Sequence, residues 1–267
     1  MAPLKSYLDL YKLLPQTNCK KCGMNACLAF AAAAMRGQRP LSACKDLDPG
    51  VREELAQELG QATTPDEEMM RALAPLKARV AEVDLAAKAG QLGCAHNGKH
   101  LILKCLGKNF TVAPDGSLAS QCHVNGWLAE PMLNYVSLGQ GKDPVGRWVL
   151  LKELRGGEDW HRLFAQRCEK PLQRVIDEHR DLMEWVIDIF GAEAVEEEGS
   201  PELGVILRPL PKLPLLIRYW PPEDGMESTL NLCFDATATD NLPIESIYTL
   251  GVGLVTMLEK IAQTHDT

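Results

Sequence analysis

Four cysteines near the start of the chain constrain its folding more than any other feature. Cys19, Cys22, Cys27 and Cys44 follow one another with two, four and sixteen residues between them, in NCKKCGMNACLAFAAAAMRGQRPLSACKD. A tight loop carrying three thiols, closed by a distant fourth, can place ligands at the corners of one cubane iron-sulfur cluster. Gly23 follows the second cysteine, where the backbone must turn sharply and approach inorganic sulfide, and a residue without Cβ does this at low cost. The run ACLAFAAAAMR has strong helix propensity, so Cys27 is expected to open a helix whose unpaired N–H groups face the anionic thiolates.

Other uses of these thiols compete on the same spacing. Structural zinc pairs two short knuckles, roughly two to four residues within each, whereas here three ligands crowd at one end. Sulfur ligands in a tetrahedron nevertheless suit zinc as well as iron, and zinc stays open as an alternative. Disulfides fit poorly, because the nine cysteines cannot all pair and the N-terminus does not resemble a secretory signal.

The segment LLPQTNCKKCGMNACLAFAAAAMRGQRPLSAC resembles the small four-cysteine 4Fe-4S domain of the large subunit of corrinoid iron-sulfur proteins and of Rnf B subunits. The resemblance rests on the cysteine spacing, the glycine after the second cysteine and the alanine-rich helix. It departs from the pattern at Lys20 and Lys21, where a small residue is common, and at Lys45, where proline is frequent. Positive charge there should favour the more negative, reduced cluster and raise its potential. Further along, PMLNYV, GRWVLLKEL, RPLPKLPLLIRYW and LNLCFDATATDNLPIESIY resemble a domain of unknown function met mostly in anaerobic prokaryotes. That resemblance implies an anaerobic setting and a shared fold, and transfers no catalytic residue.

Periodicity and breakers organise the rest. PLKSYLDLYKLL, the Cys27 helix, PGVREELAQELG and PDEEMMRALAPLKARVAEVDLAAKAG read as helices, with Pro75 ending or kinking the last. By composition the linker in this region is expected around the segment from Gln61 to Asp66. From Lys99 onward HLILKCL, KNFTVAPDGSL, RWVLLKEL, GVILRPL, LPLLIRYW and STLNLCFD read as short strands, with a hairpin turn at APDGS. Helices are expected over WLAEPMLNYVSL, over EDWHRLFAQRCEKPLQRVIDEHRDLMEWVIDIFG and at the C-terminus. The expected class is α+β: a helical iron-sulfur module over residues 1–62, a helical linker over 63–91, and over 92–267 a larger domain with a mainly antiparallel sheet backed by helices.

Of the other cysteines, Cys105 and Cys168 read as core, and Cys233 lies opposite the Leu230, Leu232 and Phe234 face. CAHNG and CHVNG echo each other, and Cys94, His96, Cys122 and His123 would supply two sulfurs and two nitrogens to a second metal. The competing reading is two turns with incidental thiols. Gly251-Val252-Gly253 lies inside an apolar helical run and so reads as helix packing, while PLPKLP reads as an edge strand or a corner between strands.

The net charge of −8, with few basic clusters, argues against nucleic acid, and no apolar run approaches the roughly twenty residues of a membrane span. A cytoplasmic location is expected, where thiols stay reduced. The leading functional expectation is an iron-sulfur electron-transfer protein of anaerobic metabolism, serving a redox partner protein or a second redox centre, a corrinoid being the candidate that the resemblance implies. The alternative is a metalloenzyme with a second metal or cofactor in the C-terminal domain. A third reading is a cluster that only staples the N-terminal helices.

Overall fold

The computed structural model describes residues 6–35, 39–59, 65–121, 124–179, 181–195 and 203–265. The chain divides into two compact units, Met1–Ala72 and Leu73–Thr267.

The first unit is helical. Helix α1 spans Tyr7–Leu13 and starts at Ser6, whose Oγ accepts from the Asp9 N–H while the Asp9 carboxylate accepts from the Ser6 N–H. Helix α2 spans Cys27–Met35, a single 3₁₀ turn spans Leu41–Ala43, and α3 spans Pro49–Leu59. Asp48 caps α3 through Oδ1, which accepts from the Gly50 and Val51 N–H groups at 2.8 and 3.1 Å. The core joins Leu10 and Leu14 to Phe30, Ala31, Ala34, Leu41, Leu47 and Leu55. The alanine run serves this core: small side chains at 31 and 34 let α1 pack closely against α2.

Helix α4 spans Pro65–Ala81 and runs through Pro75. The expected break therefore falls later. Glu82 and Val83 tighten the last turn by donating to the Arg79 and Val80 carbonyls, and Asp84 caps α5, Leu85–Gln91, by accepting from Ala86 and Ala87. From Leu73 onward the residues of the expected linker belong to the second unit, and Val80, Leu85 and Ala89 are buried. The part of the composition break at 61–64 lies outside the described residues, and Pro65 and Asp66 are helical.

The second unit is α+β with two antiparallel sheets. The first is a meander of β1 Ala95–His96, β2 Leu101–Cys105, β3 Lys108–Val112 and β4 Leu118–Ser120, in that order. Leu106 and Gly107 turn β2 into β3 with φ of 48° and 75°, the left-handed pair of a tight hairpin. Helix α6 spans Gly126–Leu138 behind an Asn125 cap. Strand β5, Trp148–Leu150, is much shorter than the RWVLLKEL run suggests, because the Glu153 carboxylate accepts from the Leu150 N–H and curls the chain into a 3₁₀ turn over Leu151–Glu153.

The expected long helix after Glu158 is segmented. A 3₁₀ turn over Gly157–Asp159 precedes α7, His161–Phe164; a π turn over Ala165–Glu169 leads into α8, Lys170–Glu178; and α9 spans Leu182–Phe190. Strands β6 Glu193–Val195, β7 Leu203–Leu210, β8 Leu213–Trp220 and β9 Thr229–Asp235 complete a second sheet of order β5-β9-β8-β7-β6. PLPKLP is the corner between β7 and β8. The chain closes with α10, Ala238–Asn241, and α11, Ile244–His265.

Helix α11 packs on α6 and α8, and α8 packs on β9. Gly251 and Gly253 are the close-approach points: an added Cβ would come within 2.6 Å of the Phe164 ring and 2.0 Å of the Trp127 ring. Cys105, Cys168 and Cys233 are all buried, so Cys233 is covered by a further layer. Among the described residues no helix is long and apolar enough to cross a membrane.

Candidate iron-sulfur site

The first unit gathers Cys19, Cys22, Cys27 and Cys44 around one recess, whose wall also includes Asn18, Lys20, Lys21, Met24, Phe30 and Lys45. Cys27 sits at the first position of α2, and Cys44 ends the 3₁₀ turn, its N–H donating to the Leu41 carbonyl at 3.1 Å. These two are buried, at 8 % and 7 % exposure; Cys22 is half-buried and Cys19 is exposed. The site therefore has a closed back and one open edge.

Local backbone shape explains how a short loop holds three thiols. Gln16, Asn18, Lys20 and Gly23 have φ of 55°, 49°, 62° and 78°. Left-handed residues interleaved with others turn successive N–H groups toward one side, the pattern that makes anion-binding concavities. Gly23 meets the conformational demand expected of it, and its N–H closes a turn on the Lys20 carbonyl at 2.9 Å. The three non-glycine residues at positive φ are not legible from composition. Asn18 has the clearest reason, since asparagine tolerates that region and its side chain can bond locally. Its Oδ1 accepts from the Cys27 N–H at 2.8 Å, and its own N–H points at the Cys27 sulfur at 3.3 Å.

Charge behind and beside the thiols is also arranged. Arg52, on α3, donates through Nη2 to the Leu47 carbonyl at 3.0 Å and more weakly to that of Cys44 at 3.5 Å. Its Nε is buried with no hydrogen-bond partner among the described residues, leaving a cationic donor behind Cys44 only partly satisfied. Burial pushes the Cys44 thiol up, and any negative charge on Cys22 and Cys27 pushes it further. At the open edge Asp46 is held below the usual carboxylate range by hydrogen bonds from Lys21 and from the Cys19 thiol. Among the described residues no three His, Cys, Asp or Glu side chains are gathered as one metal ion requires, so the thiols line a recess rather than clasp a point. Four thiols with N–H groups and cations around them fit an anionic cluster in their donor chemistry.

Of the second set of expected ligands, Cys94 and His96 lie among the described residues. Cys94 immediately precedes β1, its Sγ 3.8 Å from the Leu92 carbonyl, and burial pushes its thiol up to about 12, with Lys212 opposing the shift. Tyr135 covers the same region, donating to the Leu92 carbonyl at 2.7 Å. His96 uses Nδ1 to accept from the Gly98 N–H at 3.2 Å, an exposed turn contact. Cys122 and His123 lie outside the described residues. Sequence reasoning also missed a groove of about 800 Å³ lined by Lys170, Gln173, Arg174, Asp177, Tyr219 and Ser228, in which Asp177 accepts from both the Tyr219 and Ser228 hydroxyls.

Comparison with known proteins covers both units. A family model described as "Putative Fe-S cluster" matches residues 14–45, and the model for DUF3786, a domain of unknown function, matches 84–257. The acetyl-CoA decarbonylase/synthase complex subunit gamma of Methanocaldococcus jannaschii is 46% identical over 43 residues, covering 16% of this chain and 9% of that protein. The subunit of the same name from Archaeoglobus fulgidus is 41% identical over 70 residues, 24% of this chain and 14% of its own length. That of Methanothermobacter thermautotrophicus is 38% identical over 55 residues, 21% and 12% respectively. The chain thus spans only a small part of the length of these curated relatives, and no solved structure matches it. With a match over 84–257, the chain belongs to the DUF3786 family and carries an iron-sulfur domain ahead of that region.

Proposed function

We propose that Cys19, Cys22, Cys27 and Cys44 hold one 4Fe-4S cluster, and that the protein is an electron-transfer component of anaerobic metabolism. The observation that carries this reading is the single recess lined by all four thiols at the start of α2. When bound, such a cluster supplies a one-electron couple. The chain supplies the rest. Asn18 fixes the start of α2 and aims an N–H at the Cys27 sulfur, Arg52 stands behind Cys44, and the buried pair Cys27 and Cys44 keeps water from the back of the site. Exposed Cys19 leaves the edge through which an electron would pass. The iron-sulfur match supports an iron-sulfur role, and the relatives, named as subunits of a complex, support a protein partner; a second redox centre, a corrinoid being one candidate, rests on the resemblance of the cysteine segment alone.

Anaerobic purification followed by iron, sulfide, zinc and cobalt analysis with EPR tests the reading. Four iron and four sulfide per chain are expected, with an EPR signal on reduction, and Cys22→Ala should remove most of both. Stoichiometric zinc without iron or sulfide would overturn the cluster. A full cluster that cannot be reduced would leave it a staple for the N-terminal helices.

A further inference from the structure

The rim of the cysteine recess inverts the charge of the chain. Overall, 36 acidic residues outnumber 28 lysines and arginines, yet the recess is lined by Lys20, Lys21 and Lys45, with the Asp46 carboxylate at its edge held by Lys21 and the Cys19 thiol. Arg39 adds a fourth cation, its guanidinium 3.8 Å from where a Gly23 Cβ would stand. Lys21 is answered by Asp46 at 3.1 Å, whereas Lys20 and Lys45 have no ion-pair partner among the described residues. All three lysines are exposed, and so is Cys19, while Cys27 and Cys44 lie behind them. Exposed cations and one exposed thiol thus share this edge of the first unit.

Resting on the electron-transfer reading, we infer that the Lys20, Lys45 and Arg39 rim beside exposed Cys19 is the docking face for a one-electron carrier protein with an acidic surface. Charge complementarity argues for that occupant. A carrier of the opposite sign is drawn to this patch of an otherwise acidic molecule, and is turned so that its redox centre arrives at the Cys19 edge. A basic or neutral partner gains nothing from these three cations. The electron moves from the reduced carrier to the oxidised cluster, so the carrier is oxidised by one electron as the cluster is reduced by one.

Stopped-flow reduction of the full anaerobic protein by a reduced, acidic two-cluster bacterial ferredoxin tests this, beside equilibrium EPR titration of the same samples. The second-order rate constant should fall by about tenfold between about 50 and 500 mM salt, as screening shortens the field. The Lys20→Glu/Lys45→Glu variant should be roughly tenfold slower at low salt, should lose the salt dependence, and should converge on wild type at high salt. Lys20→Gln/Lys45→Gln should fall between. A normal EPR titration with a rate indifferent to salt would overturn the docking face while leaving the electron-transfer reading intact. A rate that follows only a shifted cluster potential, with the salt slope unchanged, would also overturn it, since the lysines would then serve the cluster's own charge. Failure of the wild-type cluster to titrate at all would instead overturn the electron-transfer reading.

Discussion

Asn18 offers a way to weigh the cysteine loop one interaction at a time. Replacing it by Ala removes the acceptor for the Cys27 N–H, now 2.8 Å away, and puts a side chain with no local bond at φ 49°. Losing a capping bond costs about 1 kcal/mol, and holding Ala in the left-handed region costs about 1 kcal/mol more. Asn18→Gly loses the same bond but tolerates the backbone, so it should cost about half as much. The first unit is small, and such sums are a large share of its stability. Loss of iron through local opening scales with the opening equilibrium, so Asn18→Ala should release iron to excess chelator about thirtyfold faster than wild type and Asn18→Gly about fivefold faster. The assay is anaerobic bleaching of the visible cluster absorbance, with EPR confirming that each variant starts loaded. Equal rates for Ala and Gly would show that the left-handed backbone at 18 contributes nothing. Wild-type rates for both would refute the claim that Asn18 secures α2 against the cluster.

Two further predictions concern the second unit, which holds all five tryptophans and so can be followed by their fluorescence in the full chain. Gly253→Ala should destabilise it by about 2 kcal/mol although alanine favours helix by about 1 kcal/mol, because the new Cβ would overlap the Trp127 ring. A drop in melting temperature of roughly 4–8 °C is expected, and a rise would refute the packing. Asp235 is buried, which pushes its pKa up, but hydrogen bonds from Thr237, Val145 and Gly146 outweigh burial and hold it below the ordinary carboxylate value. With the folded value below the unfolded one, its contribution is present above about pH 4 and is lost as pH falls through the folded value. Asp235→Asn should therefore cost about 2 kcal/mol at neutral pH, with the gap from wild type closing in acid. A gap that persists unchanged at low pH would show that packing, not the charge, is at stake.

The sequence by itself carried whatever is encoded over short distances. Cysteine spacing, the glycine after Cys22 and the alanine run mark the iron-sulfur loop and the helix at Cys27, because loop and helix form from consecutive residues. Runs rich in apolar and β-forming residues mark β7, β8 and β9, and the apolar stripe marks α6 and α11. Strands of two or three residues, β1 and β6, show no alternation to read. The π turn at Ala165–Glu169 leaves composition unchanged while it shifts the helix, and Pro75 stays helical because the competing cap at Asp84 sets the boundary. Only tertiary structure decided that Arg52 stands behind Cys44, that Asn18 clasps Cys27, and that burial leaves Cys94 with a thiol unsuited to ionise. Those outcomes depend on which surfaces meet after the chain has collapsed, and a burial or a carbonyl supplied from another element leaves no mark on the residues beside it.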